Sequence, residues 1–376
     1  MYKYFLSFLL GGITAFSLPP YNFVFINFIT FPIFFLVLIN SQKKNNSIWS
    51  NFLPGWLFGT GYFFSNIYWI VYALTFEENF KPLIPFALTV IPLFLGSFYG
   101  IATSVLLKFK LDKNFSSILI FSFFFSLIEY VRSFILGGFP WNLIAYSFTD
   151  YLQLIQILSY TGTYVFNLIC IFFFLIPSLI LFNYKKTNKI FLFSFFIMLF
   201  LINFFYGSSI IKKSQQGKKE NLNFVIKIIS PKIEINRFFQ NEPPEETIFD
   251  LIKLSEPNKL EKTIFIFPEG VLSNIYLQDL KNFSYIFSEN FSEQHKIILG
   301  ISSYESSQIF NSLIVLDKNA NILAKYDKNK LVPFGEYLPF EKFLSNFGLK
   351  KITQGYQSFS SSDEREIIKI DSISFL

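Results

Sequence analysis

The chain has 376 residues, 52% hydrophobic and 21% aromatic, and only 15% are charged, against about 25% in an average soluble domain. Its net charge of +6 comes from lysines gathered in loops, which points to membrane topology and away from nucleic-acid binding. With one cysteine, Cys170, and one histidine, His295, an intramolecular disulfide is excluded, and neither a metal centre nor a cofactor is expected.

Composition divides the chain into mostly apolar residues 1–210 and a soluble-like stretch, 211–376. Apolar runs able to cross about 30 Å of hydrocarbon predict seven transmembrane helices at 4–18, 22–40, 52–74, 83–107, 115–131, 154–183 and 190–206. The first is short and ends at Ser17-Leu18-Pro19-Pro20. No small-residue cleavage site follows it, so it reads as a helix and not a signal peptide. Lysines fill every second loop: Lys43 and Lys44, then Lys108, Lys110 and Lys113, then Lys185, Lys186 and Lys189. The alternate loops hold Glu77, Glu78 and Lys81 in one and essentially Arg132 in the other. The positive-inside pattern makes the N-terminus cytoplasmic. Seven crossings place residues 207 onward in the periplasm of a Gram-negative cell.

Four features of 1–210 stand out. Gly55, Gly59 and Gly61 allow close helix approach in the third span. Glu129 and Arg132, one turn apart at the outer end of the fifth, read as an interfacial pair or as a phospholipid head-group contact. Gly137-Gly138-Phe139-Pro140-Trp141-Asn142 breaks the helix with a tryptophan at interface level, as a re-entrant or capping loop does. Cys170, in the middle of a span, reads as packing.

From Asn221 onward, apolar β-branched runs at 223–229, 263–267, 296–301, 312–316 and 367–376 predict strands. Helical segments at 245–255 and 276–289 separate the first three, the order of a layered α/β domain. Asp317-Lys318-Asn319-Ala320-Asn321 reads as a hairpin turn. Phe267-Pro268-Glu269-Gly270 places a carboxylate just after a buried strand, either as an ordinary turn or as a partly buried general base at the ligand-binding edge of the sheet. Lys328 closes a strand before the aromatic loop 331–339, either as a solvated strand end or as a cation placed to stabilise an oxyanion.

Taken together these segments resemble the apolipoprotein N-acyltransferases, the membrane-embedded branch of the nitrilase (carbon–nitrogen hydrolase) superfamily. Residues 328–339 are similar to the family's K-x-x-L-V-P-F-G-E-Y-x-P, Phe267-Pro268-Glu269 to its W-P-E, with Phe in place of Trp, and Gly138-Phe139-Pro140-Trp141 to its G-F-P-W loop. The resemblance implies a multi-span α-helical membrane bundle (1–210) plus a periplasmic α/β nitrilase-like domain of α-β-β-α sandwich type (211–376), in the bacterial inner membrane. It implies acyl transfer from a phospholipid, through a cysteine thioester, to the diacylglyceryl cysteine at an apolipoprotein N-terminus. Glu269 would be the general base, Lys328 the oxyanion stabiliser and Glu336 the residue that orients them. Gly138, Pro140 and Trp141 would line the entry for membrane lipid.

The family's nucleophile lies in a C-Y-E type motif at a strand end. Asp371-Ser372-Ile373-Ser374-Phe375-Leu376 resembles that strand stopped short of its cysteine. A truncation is therefore expected, before both the nucleophile and a final transmembrane helix, with no acyl transfer by the 376-residue chain itself. The alternatives are a membrane-anchored nitrilase-type amidase and a non-catalytic receptor or transporter. The latter predicts internal repeats or charges deep in the spans; the sequence shows no internal repeat and most charges sit at span ends.

Overall fold

The computed structural model describes residues 2–42, 47–75, 78–135, 138–216, 223–232, 243–272, 275–344, 346, 358–363, 367–370 and 373–375. Lys43, Lys44, Glu77, Gly137, Asp371, Ser372 and Leu376 lie outside the described residues. The chain forms two compact units, Met1–Lys218 and Lys219–Leu376.

The first unit is helical: α1 (Tyr2–Ala15), α2 (Asn27–Gln42), α3 (Ile48–Asn66), α4 (Ile84–Leu106), α5 (Phe115–Arg132), the single turn α6 (Leu152–Ile155), α7 (Leu158–Leu175) and α8 (Lys186–Gln216). Ser47 caps α3 by accepting from the Ser50 amide, and Asn114 caps α5 through the Ser117 amide. Among the described residues, five helical stretches are long and apolar enough to cross a membrane: Val24–Gln42, Phe80–Phe109, Phe115–Arg132, Leu158–Leu181 and Lys186–Gln216. Helices stand at the other two expected positions as well. The 14 residues of α1 rise about 21 Å, less than the hydrocarbon thickness, while α3 is diluted by Gly, Ser, Thr and Asn. The run expected at 154–183 is divided: α6 precedes α7, Gly162 breaks the helical path at φ 69°, and a 3-10 turn, Ile176–Leu181, follows at Pro177.

Lipid is as apolar as these side chains, so helix association depends on close packing rather than on exclusion from water. A Cβ on Gly59 would lie 2.8 Å from Gly96 Cα of α4, and one on Gly61 only 2.1 Å from the Phe8 carbonyl oxygen of α1. The core between the helices is aromatic. Phe34 stacks on Phe58 at 4.2 Å and Phe121 on Phe125 at 4.1 Å, pairs worth about 0.5–1.5 kcal/mol each beyond their burial. By contrast, α8 buries only Phe196 and Gly207 along its 31 residues, the surface of a helix that faces lipid.

The second unit is an α/β domain. Its five-stranded sheet has the order β1 (Val225–Ile228), β2 (Thr263–Ile266), β3 (His295–Glu305), β4 (Gln308–Leu316), β5 (Ile322–Asp327). The first three strands are parallel, and the last two join antiparallel. The parallel strands are linked by α9 (Pro244–Ser255) and by a 3-10 turn, Leu277–Phe283, leading into α10 (Ser284–Asn290). Ile248, Leu251 and Ile252 of α9 and Ile286 and Phe287 of α10 share the main core with Phe265, Ile297, Leu299 and Ile314 of the sheet. The opposite face carries a smaller cluster, Ile264, Ile298, Val315 and Ile368. Ile368 belongs to the hairpin β6 (Ile368–Ile370) and β7 (Ile373–Phe375). The 317–321 turn joins β4 to β5, with Asp317 accepting from the amides of Asn319 and Asn321.

Candidate active site

Glu269 meets Lys328, 59 residues on, and Glu336 at the end of the sheet where β2 and β5 finish and β4 begins. The β2 ladder runs one bond further, Phe267 N–H donating to the Ile298 carbonyl at 2.8 Å. Pro268 has no N–H and ends it, and Gly270 turns the chain at φ +63°. Gly300 on β3 makes room for this turn: a Cβ there would lie 2.7 Å from Glu269 Cα.

Lys328 follows β5, and its N–H donates to the Asn311 carbonyl of β4 at 2.9 Å, so their side chains are neighbours. Residues 332–337 fold back on themselves, Glu336 N–H bonding to the Val332 carbonyl at 2.8 Å and Phe334 N–H to the Tyr337 carbonyl at 2.7 Å. Glu336 thereby becomes the anchor of the site. Its Oε1 accepts from Lys328 Nζ at 2.8 Å and from Asn311 Nδ2 at 2.8 Å, while its Oε2 accepts from the Val332 amide at 2.7 Å. Glu269 Oε1 accepts from Asn311 Nδ2 at 2.6 Å and lies 3.4 Å from Lys328 Nζ.

Burial pushes the Glu336 carboxyl up, but Lys328, the Val332 amide and Asn311 together hold it below the ordinary value of 4.5. Burial pushes Lys328 down, and this is outweighed by the hydrogen bond to Glu336 and the nearby charges of Glu269 and Glu336, which hold it above 10.5. Lys328 is thus a fixed cation. Two of its three N–H groups meet the carboxylates. The carboxylates differ in capacity. Both oxygens of Glu336 are engaged, whereas Glu269 Oε2 has no partner among the described residues. The Glu269 side chain is 65% exposed, more open than the partly buried base expected from sequence, because it stands beyond the ladder on a turn.

Asn311 was not foreseen. Nothing in Gln308-Ile309-Phe310-Asn311-Ser312 marks it; only the pairing of β4 with β5 sets it beside Lys328.

The other expected residues belong to the helical unit. Gly138 holds φ +87°, and a Cβ there would sit 2.1 Å from the Ser133 carbonyl oxygen. Pro140 and the exposed Trp141 follow, Trp141 packing edgewise on Trp69 at 6.4 Å. Glu129 and Arg132, expected at the interface or against a head group, are buried instead, 4.0 Å apart; α5 turns them inward, where hydroxyl, amide and carbonyl groups receive them. Cys170 is buried on α7 within the apolar core of that unit.

A membrane protein that carries an α/β domain with a paired-carboxylate and lysine site is the class these features define. Residues 10–176 match the family model described as the apolipoprotein N-acyltransferase N-terminal domain. An apolipoprotein N-acyltransferase of Rickettsia typhi is 30% identical over 358 residues, 93% of this chain and 68% of that protein. Relatives of the same name from Brucella melitensis (28% over 388 residues, 98% of this chain and 72% of theirs) and Rhizobium leguminosarum (27% over 379 residues, 96% and 70%) are similar along nearly the whole chain. The chain belongs to the apolipoprotein N-acyltransferase family.

Proposed function

We propose that this chain serves N-acylation of the diacylglyceryl cysteine at an apolipoprotein N-terminus, with a phospholipid as acyl donor and a thioester between the two half-reactions. The observation that carries the reading is the Glu269–Asn311–Lys328–Glu336 cluster, in which one carboxylate is free to cycle a proton beside a fixed cation. In the first step Glu269 takes the thiol proton and the thiolate attacks the ester carbonyl. Lys328 stabilises the oxyanion, the C–O bond breaks, and the lysophospholipid alkoxide leaves with the proton from Glu269. In the second step the lipoprotein α-amine attacks the thioester, Glu269 accepts its proton, and the C–S bond breaks with the thiolate reprotonated. Glu336 orients Lys328 and Asn311 throughout.

The thiol is not Cys170, which is packed in the bundle core. The 376-residue chain, with no other cysteine, is therefore expected to form no thioester on its own. The exposed lysines at 108, 110, 113, 185 and 186 support a cytoplasmic N-terminus and a periplasmic α/β domain in the bacterial inner membrane. Gly138, Pro140 and Trp141 stand at the lipid entry, where an acyl chain leaves the bilayer without crossing water.

The test uses the complete reading frame that contains codon 376, in vesicles of phosphatidylethanolamine with a diacylglyceryl-cysteine peptide. Mass spectrometry should find the N-acylated peptide, and Glu269→Gln should lower its rate by about 10²–10⁴-fold. Undiminished product from Glu269→Gln would remove Glu269 from the mechanism.

A further inference from the structure

In the helical unit, four successive backbone carbonyls of an irregular segment are each held by a side-chain donor. Arg132 Nη1 donates to the Phe139 carbonyl at 2.6 Å and to the Trp141 carbonyl at 2.9 Å. Tyr146 OH donates to the Pro140 carbonyl at 3.3 Å, and Tyr62 OH to the Asn142 carbonyl at 3.0 Å. The donors come from α5, from the turn before α6 and from α3. Non-helical backbone at the edge of a bilayer survives only where its polar groups find partners in the protein, and here they find them one by one.

Arg132 is the centre of this arrangement. It is 1% exposed, its guanidinium lies 5.1 Å from the Phe63 ring and 5.7 Å from the Phe139 ring, and Nη2 faces Glu129 Oε1 at 4.0 Å. Glu129 is fixed in turn by Tyr99 OH and by Asn167 Nδ2 at 2.5 Å. Asn167 Oδ1 accepts from the Ala145 amide at 2.8 Å, just past the segment. A buried ion pair adds little net stability compared with well-packed apolar residues, so stability alone does not account for this one. A guanidinium that spans two carbonyls does what an apolar residue cannot: it fixes the path of 139–141, and with it the outward placement of Trp141.

We propose that Arg132, with Tyr62 and Tyr146, is a positioning residue that clamps segment 138–142 and so sets Trp141 against Trp69, with Glu129 as its counter-charge. Its bearing on acyl transfer rests on the proposed function. The clamp itself is read without turnover, so the two fail separately.

The full 376-residue chain, labelled with ¹⁵N-tryptophan, is placed in phosphatidylethanolamine–phosphatidylglycerol nanodiscs. Its four tryptophans give four backbone amides, and Trp141→Phe assigns that of Trp141. In the native chain the Trp141 amide should have the order parameter of rigid backbone, about 0.85, and in Arg132→Met it should fall below about 0.6 while Trp56 on α3 is unchanged. Arg132→Lys keeps the charge without the two-carbonyl span and should give an intermediate value, which also covers the case of Arg132→Met failing to fold. A Trp141 order parameter at the native value in a folded Arg132 variant would overturn the clamp. So would joint loss of order at Trp56 and Trp141 in both variants, the mark of a merely structural role in the bundle.

Discussion

Replacing Glu336 with glutamine tests whether this residue anchors the α/β site. Glu336 accepts three hydrogen bonds with a side chain only 10% exposed. Glutamine keeps the shape but offers one acceptor oxygen and one amide. If the oxygen faces Lys328 and Asn311, the amide meets the Val332 N–H, donor against donor; if it flips, the amide meets Lys328 and Asn311. Either orientation loses charge-assisted bonding, about 1.5–3 kcal/mol, and orphans a donor at about 1–3 kcal/mol. Lys328 is 31% exposed and retains Glu269, so the lower end applies, about 2.5 kcal/mol, or roughly 70-fold in local opening. Hydrogen-exchange mass spectrometry of the peptide covering 331–338 reads that ratio directly, variant over native, at each pH. Glu336 is held below its ordinary 4.5, so its contribution is complete above that value and lost only as pH falls through the lowered folded one. Lys328 is held above 10.5, so its contribution is complete below that value and lost only as pH rises through the raised one. The ratio should therefore stay level through neutrality, and contract in acid as the native Glu336 is protonated. A ratio of one at neutral pH would refute the anchoring role.

Gly300→Ala places a Cβ 2.7 Å from Glu269 Cα and displaces the turn after β2; on the proposed function this should lower the rate of peptide N-acylation about 10²-fold, with circular dichroism unchanged. His295 is fully buried, its Nδ1 accepting from the Ser292 amide at 3.2 Å and its Nε2 paired with the Asn258 carbonyl at 2.9 Å. His295→Ala orphans both groups and should destabilise the sheet by about 3 kcal/mol, read as exchange of the β3 peptide. Gly59→Val forces α3 from α4 at a 2.8 Å approach and should cost about 1–3 kcal/mol, seen as earlier loss of Trp56 fluorescence on heating in detergent.

What the sequence showed best was whatever a local pattern decides. The β-branched runs at 263–267 and 312–316 became β2 and β4, and the Asp317–Asn321 turn joined two strands because its carboxylate bonds its own backbone. Pairing decides the rest. Residues 302–311 lie between the expected strands 296–301 and 312–316, yet they extend β3 and β4 into a long hairpin, Tyr304 opposite Ile309, because ladder partners outweigh weak local preference. The same register brings Asn311 to the site. The split of the sixth span hangs on Gly162 and Pro177, two residues inside an otherwise continuous apolar run. The resemblance named Glu269, Lys328 and Glu336, but which of their oxygens are already occupied is visible only in the structure.

Two carboxylate–cation pairs in one chain show how burial assigns the task. Glu129 and Arg132 are 0% and 1% exposed, and both Glu129 oxygens are taken by Tyr99 and Asn167. With both oxygens engaged and the side chain fully buried, that carboxylate acts on Arg132 and through it on the backbone of 139–141. Glu269 and Lys328 are 65% and 31% exposed at 3.4 Å, a pair that stays open to solvent. Glu336 stands between these extremes: buried and saturated like Glu129, it touches the same lysine as Glu269. An anchor of that kind lets Glu269 stay loosely held, because Lys328 and Asn311 are fixed from the other side.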